Sequence, residues 1–308
     1  MIKRYIVFAF IALFILSTFV SCSGGGETLD NDGIKIVVTV FPQYDFVRNI
    51  TSGTDAEITM LLKTGNEPHS YEPTPADIKA LSKCDLFIWV GGESEAWADK
   101  LIDSASVPSD RVMALMDIVP LIEGSHEGEY DEHVWTSPKN AMLIVEALSE
   151  KLCEIDVGNK DAYKLNSDRY ISELSELDGK FCELVGRSSD RTLIIGDRFP
   201  FAYLADAYDF KYASPFKGCS SHTEPSVSDV AGVIEIAKEE AAKVVFSVDF
   251  SNEKLAGTIA DEVGAEIKRL YSCHTVSASD FENGIGYIDL MLQNLKNIEE
   301  AIGQKSEK

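Results

Sequence analysis

Residues 58–90 read ITMLLKTGNEPHSYEPTPADIKALSKCDLFIWV, and this stretch decides the fold. It holds two short apolar runs, Ile58 to Leu61 and Leu86 to Val90. Between them, Thr74 can cap a helix and Pro75 suits its first turn. A strand, a helix and a second strand in this order indicate parallel strands joined by a helical crossover, so the stretch predicts an α/β protein.

The same alternation appears on both sides of a central segment. Before that segment lies a further strand-like run at Ile36 to Phe41, closed by Pro42. After it, strand-like and helix-like stretches alternate at Thr192 to Ile195, Ser228 to Ala241, Lys243 to Val248, Asn252 to Val263 and Ile267 to Tyr271. We therefore expect two lobes, each with a mostly parallel sheet flanked by helices.

The central segment predicts one long, rigid helix that joins the lobes. From Asn159 to Gly186 there is no proline, and apolar residues recur mostly three or four positions apart. They are Ala162, Leu165, Tyr170, Ile171, Leu174, Leu177, Phe181 and Leu184. A helix of this length would extend about 42 Å, which is enough to brace two lobes. Two shorter helices, with a break near Asn166 to Asp168, are the alternative.

The N-terminus has the pattern of an export signal. Lys3 and Arg4 precede an uncharged run from Tyr5 to Val20, which falls short of the about 20 residues that a membrane-spanning helix needs. Phe19-Val20-Ser21-Cys22 resembles the bacterial lipobox, in which the cysteine becomes the lipidated first residue. We predict a signal peptide over residues 1–21, a lipid anchor at Cys22 and a flexible polar tether over 22–33. Secretion without lipidation is the alternative, and both place the mature chain outside the cytoplasm.

The chain is strongly acidic, with a formal net charge of −23. Loss of Lys3 and Arg4 with the signal would take this charge to about −25. Such a charge argues against nucleic acid as a partner, because neutralising phosphates requires Lys and Arg. It favours cations, but acidity is also a common route to solubility, so it does not identify a ligand by itself.

Histidines supply the functional signal. A metal site needs neutral imidazoles or carboxylates that converge from different segments. Four of the five histidines lie in loops beside predicted strands or helix starts, two in each half: His69, His133, His222 and His274. His69 is enclosed by Pro68, Pro73 and Pro75, and Pro138 closely follows His133. Loops at the ends of parallel strands are where α/β proteins bind their ligands, so we predict a metal site in the cleft between the lobes.

At these residues the chain resembles the metal-specific solute-binding lipoproteins of bacterial ABC importers, the zinc and manganese receptors. Val37 to Asp45 is similar to their opening strand and helix, and Glu67-Pro68-His69 with Pro73-Thr74-Pro75 to their first-ligand motif. Asp131-Glu132-His133-Val134-Trp135 with Ser137-Pro138 resembles their second-ligand motif. The resemblance covers essentially the whole mature chain. It implies metal capture and delivery to a membrane permease, by a monomer, without catalysis.

The resemblance places His274 at the fourth family ligand, but the histidine expected as the third ligand is missing. That place holds Asp197, next to Arg198, which could claim it as an ion pair. His222 is therefore the preferred third ligand, and Asp197 and Glu224 are its rivals. An imidazole-rich set suits Zn²⁺, whereas Mn²⁺ favours more oxygen ligands, so we expect zinc with manganese as the alternative. The expected lobes are residues 34–155 and 188–308, with the linking helix over 156–187.

Three features near the predicted site leave open interpretations. His126 lies in an acidic loop that resembles a reduced form of a family loop able to collect ions weakly, but a solvated acidic loop is an equal alternative. Cys219 and Cys273 lie close in sequence to His222 and His274, and we expect a disulfide between them, with thiolate ligation as the rival. Cys153 and Cys182 could pair or simply pack.

Two other classes of protein remain as alternatives. One is a receptor for chelated iron or another organic ligand, which would also use two lobes and a stiff helix. The other is a zinc-dependent hydrolase, which needs an open coordination position and a general base. The sequence contains no His-Glu-x-x-His and no Gly-x-Ser-x-Gly motif, so we do not expect an enzyme.

Overall fold

Two parallel sheets with the same strand order organise the molecule. The structure is a computed structural model, and it describes residues 33–65, 71–124, 128–188, 190–216 and 224–302. The first half contains one sheet with the strand order β2-β1-β3-β4. Its strands are β1 (Lys35–Val38), β2 (Glu57–Met60), β3 (Leu86–Trp89) and β4 (Val112–Ala114). All pairs are parallel, and Ile36 of β1 lies between Ile58 of β2 and Leu86 of β3.

Helices connect these strands as crossovers. They are α1 (Phe41–Ile50), α2 (Pro75–Leu81) and α3 (Ala96–Ala105). Helix α2 begins as predicted, because Pro75 occupies its first turn and Asp77 Oδ2 accepts from the Thr74 N–H and Oγ1 at 2.7 and 2.8 Å. The central strands are buried on both faces, and Leu86, Phe87 and Ile88 are 0% exposed. That pattern is typical of a parallel sheet covered by helices.

The second half repeats this architecture. Its strands are β5 (Thr192–Ile194), β6 (Lys211–Ala213), β7 (Val244–Val248) and β8 (Glu266–Leu270). β5 pairs with β6 and β7 with β8, all parallel, and a parallel bridge between Ile195 and Phe246 joins the two pairs. The resulting order is β6-β5-β7-β8. Its helices are α6 (Ala202–Tyr208), α7 (Val227–Glu239), α8 (Lys254–Val263), α9 (Ala278–Glu282) and α10 (Tyr287–Ile302).

Two antiparallel helices lie between the halves. α4 (Pro138–Ile155) is followed by α5 (Lys160–Arg187), a single helix of 28 residues, so the prediction of one long helix is confirmed. The alternative, a break near Asn166, is wrong because the helix continues through this residue. The Asn166 side-chain amide donates instead to the carbonyls of Ile50 and Ser52, at 2.9 and 2.8 Å. Those bonds supply donors to carbonyls at the C-terminal end of α1, which have no hydrogen-bond partner within the helix.

The buried stripe of α5 differs from the predicted one mainly in its first half. Leu165 is 72% exposed, whereas the helix buries Tyr163, Ser167, Tyr170, Leu174, Leu177, Phe181 and Leu184. The buried residues alternate in steps of four and three, as expected for a helix packed along its length. Ser167 fits this stripe because its hydroxyl bonds that of Ser149 on α4 at 2.9 Å.

Helix α5 contacts both halves through polar bonds as well as through the core. Tyr170 Oη donates to Asp45 Oδ2 of α1 at 2.9 Å, and Tyr208 Oη of α6 donates to Asp178 Oδ1 at 2.8 Å. The main hydrophobic core is continuous and includes Ile88 from the first sheet and Ile195 from the second. The architecture is therefore the predicted one: two α/β lobes, each with a parallel sheet flanked by helices, joined by one long helix. Within the described residues no helix is long and apolar enough to span a membrane.

Candidate metal centre

His133 is held at the end of a short turn that leads into α4. The Thr136 N–H and Oγ1 both donate to the His133 carbonyl, at 3.0 and 2.8 Å, and Pro138 starts the helix. These bonds fix the backbone on the C-terminal side of His133. The residue is 5% exposed and lines a cavity, so these bonds hold its backbone at the cavity wall.

Asp131 orients the His133 ring. Asp131 Oδ1 accepts from the His133 backbone N–H at 2.9 Å and lies 3.1 Å from its Nδ1. Because an ionised carboxylate can only accept, Nδ1 is the donor, and the neutral ring then carries its lone pair on Nε2. A carboxylate behind a histidine is the usual support of an imidazole metal ligand.

The electrostatics around His133 favour positive charge near the ring. Burial lowers the pKa of His133, but the Asp131 carboxylate, with Glu132 and Asp249 further away, raises it overall. Burial likewise raises the pKa of Asp131, and His133 outweighs that effect and lowers it. The surroundings of His133 therefore stabilise positive charge, which a bound cation would also supply.

His274 lies in a tight turn after β8. Its backbone N–H donates to Ser272 Oγ at 3.2 Å, and its carbonyl accepts from the N–H of Phe41 at 3.4 Å. The intervening Cys273 has a φ of 60°, a left-handed conformation that few L-residues adopt. His274 is 6% exposed and lines the same cavity as His133.

The fold brings these two histidines together from opposite halves. Their ring centroids are 5.5 Å apart at 86°. With Zn–N bonds of about 2.1 Å and tetrahedral angles, two imidazoles on one zinc ion have centroids about 5.3 Å apart. The Trp135 ring lies against both, at 5.6 Å from His133 and 5.0 Å from His274. The pair thus has a spacing at which both rings can bind one ion.

The cavity has a volume of about 1030 Å³ and contains further oxygen donors. Both predicted rivals for the third ligand, Asp197 and Glu224, line it, together with Asp249. Asp197 follows Gly196, whose backbone packs directly against α8. A side chain at Gly196 would clash there, because its Cβ would lie 2.3 Å from the Ala256 Cα. Asp197 Oδ1 accepts from the N–H of Arg198 at 2.8 Å, and the Arg198 guanidinium lies 4.7 Å from the centre of the Phe216 ring.

The other predicted ligands cannot be placed. His69 and His222 lie outside the described residues, and so does His126. Among residues 33–65, 71–124, 128–188, 190–216 and 224–302 no group of three or more His, Cys, Asp or Glu side chains is close enough to hold a metal ion. The described part of the candidate centre therefore consists of the His133 and His274 pair with carboxylates nearby.

The cysteine predictions require correction. Cys273 has a free thiol, so the structure does not contain the expected disulfide with Cys219, which lies outside the described residues. The Cys273 Sγ is instead buried 3.7 Å from the Tyr271 carbonyl, and burial raises the pKa of this thiol well above its ordinary value. Cys153 and Cys182 are also free, the first buried and the second exposed. They do not form a pair.

Asp249 is a cavity residue that the sequence analysis did not single out. It follows β7, and Ser272 donates to both of its oxygens, through N–H at 2.8 Å and Oγ at 3.3 Å. Burial raises the pKa of Asp249 to about 6, although the Ser272 bonds oppose that rise. The signal was available, because polar residues at the carboxyl end of a parallel strand are favoured site residues.

Two α/β lobes on one long helix, with imidazoles from both lobes meeting in the cavity, define a metal-binding solute receptor. Residues 36–301 match the model of the family described as zinc-uptake complex component A, periplasmic, and the chain belongs to that family. The protein is thus a component of an uptake complex and not an enzyme.

Individual relatives cover nearly all of the chain. It is 30% identical over 299 residues to the high-affinity zinc uptake system protein ZnuA of Bacillus subtilis, which covers 93% of both chains. It is also 30% identical over 305 residues to the iron-binding protein YfeA of Yersinia pestis, covering 95% of this chain and 96% of that one. The Zn(II)-bound ZnuA-like domain of Streptococcus pneumoniae AdcA superposes with a TM-score of 0.75 at 27% identity, covering 88% of this chain and all of that domain. The match spans 58% of the whole AdcA chain.

Proposed function

We propose that this protein captures a zinc ion in the cleft between its lobes and delivers it to the permease of an ABC importer. His69, His133, His222 and His274 bind the ion, and no bond chemistry takes place. The observation that carries the proposal is the pairing of the His133 and His274 rings, 5.5 Å apart and almost fully buried, from opposite lobes.

Described residues next to the other two histidines support the ligand set. Gly65, directly before the segment that contains His69, lines the cavity. Phe216 and Glu224, on either side of the segment that contains His222, line it too. Four nitrogens, or three with one carboxylate, would make a closed tetrahedral site without an open position for catalysis. Such a site suits storage and transfer of the ion.

Zinc affinity of single-site variants tests the ligand set. Purified mature protein should bind one zinc ion per chain by elemental analysis and calorimetry. His133→Ala or His274→Ala should each weaken binding at least about 100-fold, because each removes a ligand from a four-coordinate site. His126→Ala is the matched control and should bind as the parent does. Parent-like affinity in both the His133 and His274 variants would refute the site.

The third ligand can be assigned by comparing three variants. We infer His222, so His222→Ala should lose about as much zinc affinity as His133→Ala, while Asp197→Ala and Glu224→Ala should lose much less. The reverse order would transfer the role to the carboxylate whose loss is the more damaging. A carboxylate would also shift the donor set toward oxygen and raise relative affinity for Mn²⁺.

The relatives differ in the metal that their names give, so metal preference needs a direct measurement. Competition of Zn²⁺, Mn²⁺ and Fe²⁺ for the purified protein should place zinc first, because imidazole-rich sites suit zinc better than harder, oxygen-preferring ions. Stronger binding of Fe²⁺ or of a ferric chelate, unaffected by His133→Ala, would favour the alternative of an iron or chelate receptor.

Export and anchoring complete the proposal. Residues 1–21 act as a signal peptide, Cys22 carries the lipid, and residues 22–33 tether a monomeric receptor of two lobes, 34–155 and 188–308, to the outer face of the membrane. The arrangement keeps the receptor near its permease. Cys22→Ser should move the protein from the membrane fraction to the soluble extracytoplasmic fraction. Retention of this variant in the membrane would contradict lipid anchoring and leave the metal site untouched.

A further inference from the structure

We propose that Asp249 is a positioning residue of the metal centre, which holds the loop of His274 in its ligating conformation as Asp131 holds His133. The inference rests on the proposed function, because it assigns a role within the same site. It concerns a residue that lies in the second lobe, between β7 and α8.

Hydrogen bonds connect Asp249 to His274 through Ser272. The carboxylate accepts from the Ser272 N–H at 2.8 Å and from Ser272 Oγ at 3.3 Å. The same Ser272 Oγ accepts from the His274 N–H at 3.2 Å. Ser272 thus uses its hydroxyl as a donor toward Asp249 and as an acceptor from His274, so a change at Asp249 alters the backbone that carries the imidazole.

The two loops that Asp249 joins have unusual backbone conformations. Cys273, between Ser272 and His274, has a φ of 60°, and Phe250 and Glu253, just after Asp249, have φ values of 63° and 57°. Non-glycine residues in this region persist only where the surroundings impose it. The Asp249 carboxylate supplies such a constraint, because it binds the N–H that begins the turn of Cys273.

The same loop is also bound from the first lobe. Trp135 Nε1 donates to the Ser272 carbonyl at 2.8 Å, and the Trp135 ring contacts both ligand imidazoles. Ser272 is therefore held by Asp249 on one side and by Trp135 on the other. Asp249 fixes the distance between His133 and His274 through this arrangement without contacting the ion.

The experiment measures zinc affinity and the visible spectrum of bound cobalt(II) for Asp249→Ala, Asp249→Asn and Ser272→Ala. Outer-shell partners of metal ligands typically contribute 10- to 100-fold in affinity, so we expect a loss of about that size for Asp249→Ala. Ser272→Ala should show a similar loss. Asp249→Asn keeps an oxygen that can accept the Ser272 N–H, and it should fall between these variants and the parent.

The cobalt(II) spectrum separates positioning from simple support of the fold. A misplaced His274 changes the ligand field, so the visible bands of Asp249→Ala should shift, whereas a purely structural role would lower the melting temperature of the metal-free protein and leave the bands unchanged. Asp261→Asn, an exposed residue of α8, removes the same charge from the same lobe and should match the parent. If Asp249→Ala fails to fold, Asp249→Asn decides the matter.

Failure of this inference is distinguishable from failure of the proposed function. Zinc affinity of Asp249→Ala and Asp249→Asn within about twofold of the parent, with an unchanged cobalt spectrum, would overturn the positioning role while His133→Ala and His274→Ala still lose binding. If the parent itself bound no zinc, the proposed function would be wrong and the role of Asp249 would fall with it.

Discussion

Replacement of Trp135 by Phe should destabilise the metal-free protein strongly. Trp135 is 0% exposed, and its Nε1 donates to the carbonyl of Ser272, a residue that is only 7% exposed. Phe cannot donate, so a buried carbonyl loses its partner at a cost of about 1–3 kcal/mol. The missing part of the indole leaves a small cavity that adds about 1 kcal/mol. We expect a loss of about 2–4 kcal/mol in the free energy of unfolding.

Trp97 provides a matched control for the same substitution. Its Nε1 is buried and has no hydrogen-bond partner among the described residues, while its ring packs 4.7 Å from that of Tyr71. Trp97→Phe removes an unsatisfied donor together with some apolar contact, and these effects oppose each other. The free energy of unfolding should therefore change by less than about 1 kcal/mol.

Urea unfolding followed by circular dichroism, in the presence of a chelator, measures both variants. With a slope of about 3 kcal/mol per molar urea, Trp135→Phe should lower the midpoint by about 1 M relative to Trp97→Phe. Zinc affinity of Trp135→Phe should fall too, because both imidazoles rest on this ring. Midpoints of the two variants within about 0.2 M of each other would refute the reasoning, since the bond to Ser272 would then contribute nothing measurable.

Four further predictions follow from buried groups and from the rigid connection of the lobes. Burial raises the pKa of Glu95 to about 7, so its contribution to stability is complete below about pH 4.5 and is lost as the pH rises through 7. Glu95→Gln keeps an acceptor for the Val90 N–H. This variant should be up to about 3 kcal/mol more stable than the parent at pH 8 and as stable as the parent at pH 4.5. If the two proteins were equally stable at both pH values, the prediction would be wrong. Tyr170→Phe removes a donor to the buried Asp45 carboxylate and should cost about 1.5–3 kcal/mol in urea unfolding, whereas a cost below about 0.5 kcal/mol would show that the bond is dispensable. Zinc binding should weaken as the pH falls, because protons compete for the imidazoles, and the loss should begin above the ordinary histidine pKa of about 6.5, since Asp131 outweighs the effect of burial and raises the pKa of His133. An affinity that stays constant between about pH 7.5 and pH 5 would refute histidine ligation. The small-angle scattering profile should change little on metal removal because α5 binds both lobes, and a large change would count against a rigid linking helix.

Much of the fold could be predicted because its signals are local. The apolar runs of β1, β2, β3, β5, β7 and β8 and the proline-free stripe of α5 were all visible in the sequence. Strands β4 and β6 were missed. Each has only three residues and lies at the edge of its sheet, so too few apolar positions recur to form a pattern, and pairing with a neighbouring strand makes each of them a strand.

Part of the candidate site could be predicted for the same reason. His133 and His274 were identified from their loops, and the structure brings them together. Asp249 was overlooked although its position after β7 was a signal, and its hydrogen bonds to Ser272 could not be predicted because Ser272 lies far from it along the chain. The predicted disulfide of Cys273 is absent from the structure because closeness in sequence to His274 does not direct a thiol toward the cavity, and this thiol is buried near the Tyr271 carbonyl.

The sequence alone determined the alternation of most strands and helices, the length of the linking helix and the residue types available for metal binding. These properties depend on hydrophobic spacing and on turn residues, which act over a few positions. Tertiary structure alone decided that β5 and β7 join into one sheet, that Trp135 binds the Ser272 carbonyl, and that two imidazoles from opposite lobes lie 5.5 Å apart. Those relations join residues far apart in the chain, and packing of the shared core fixes their geometry.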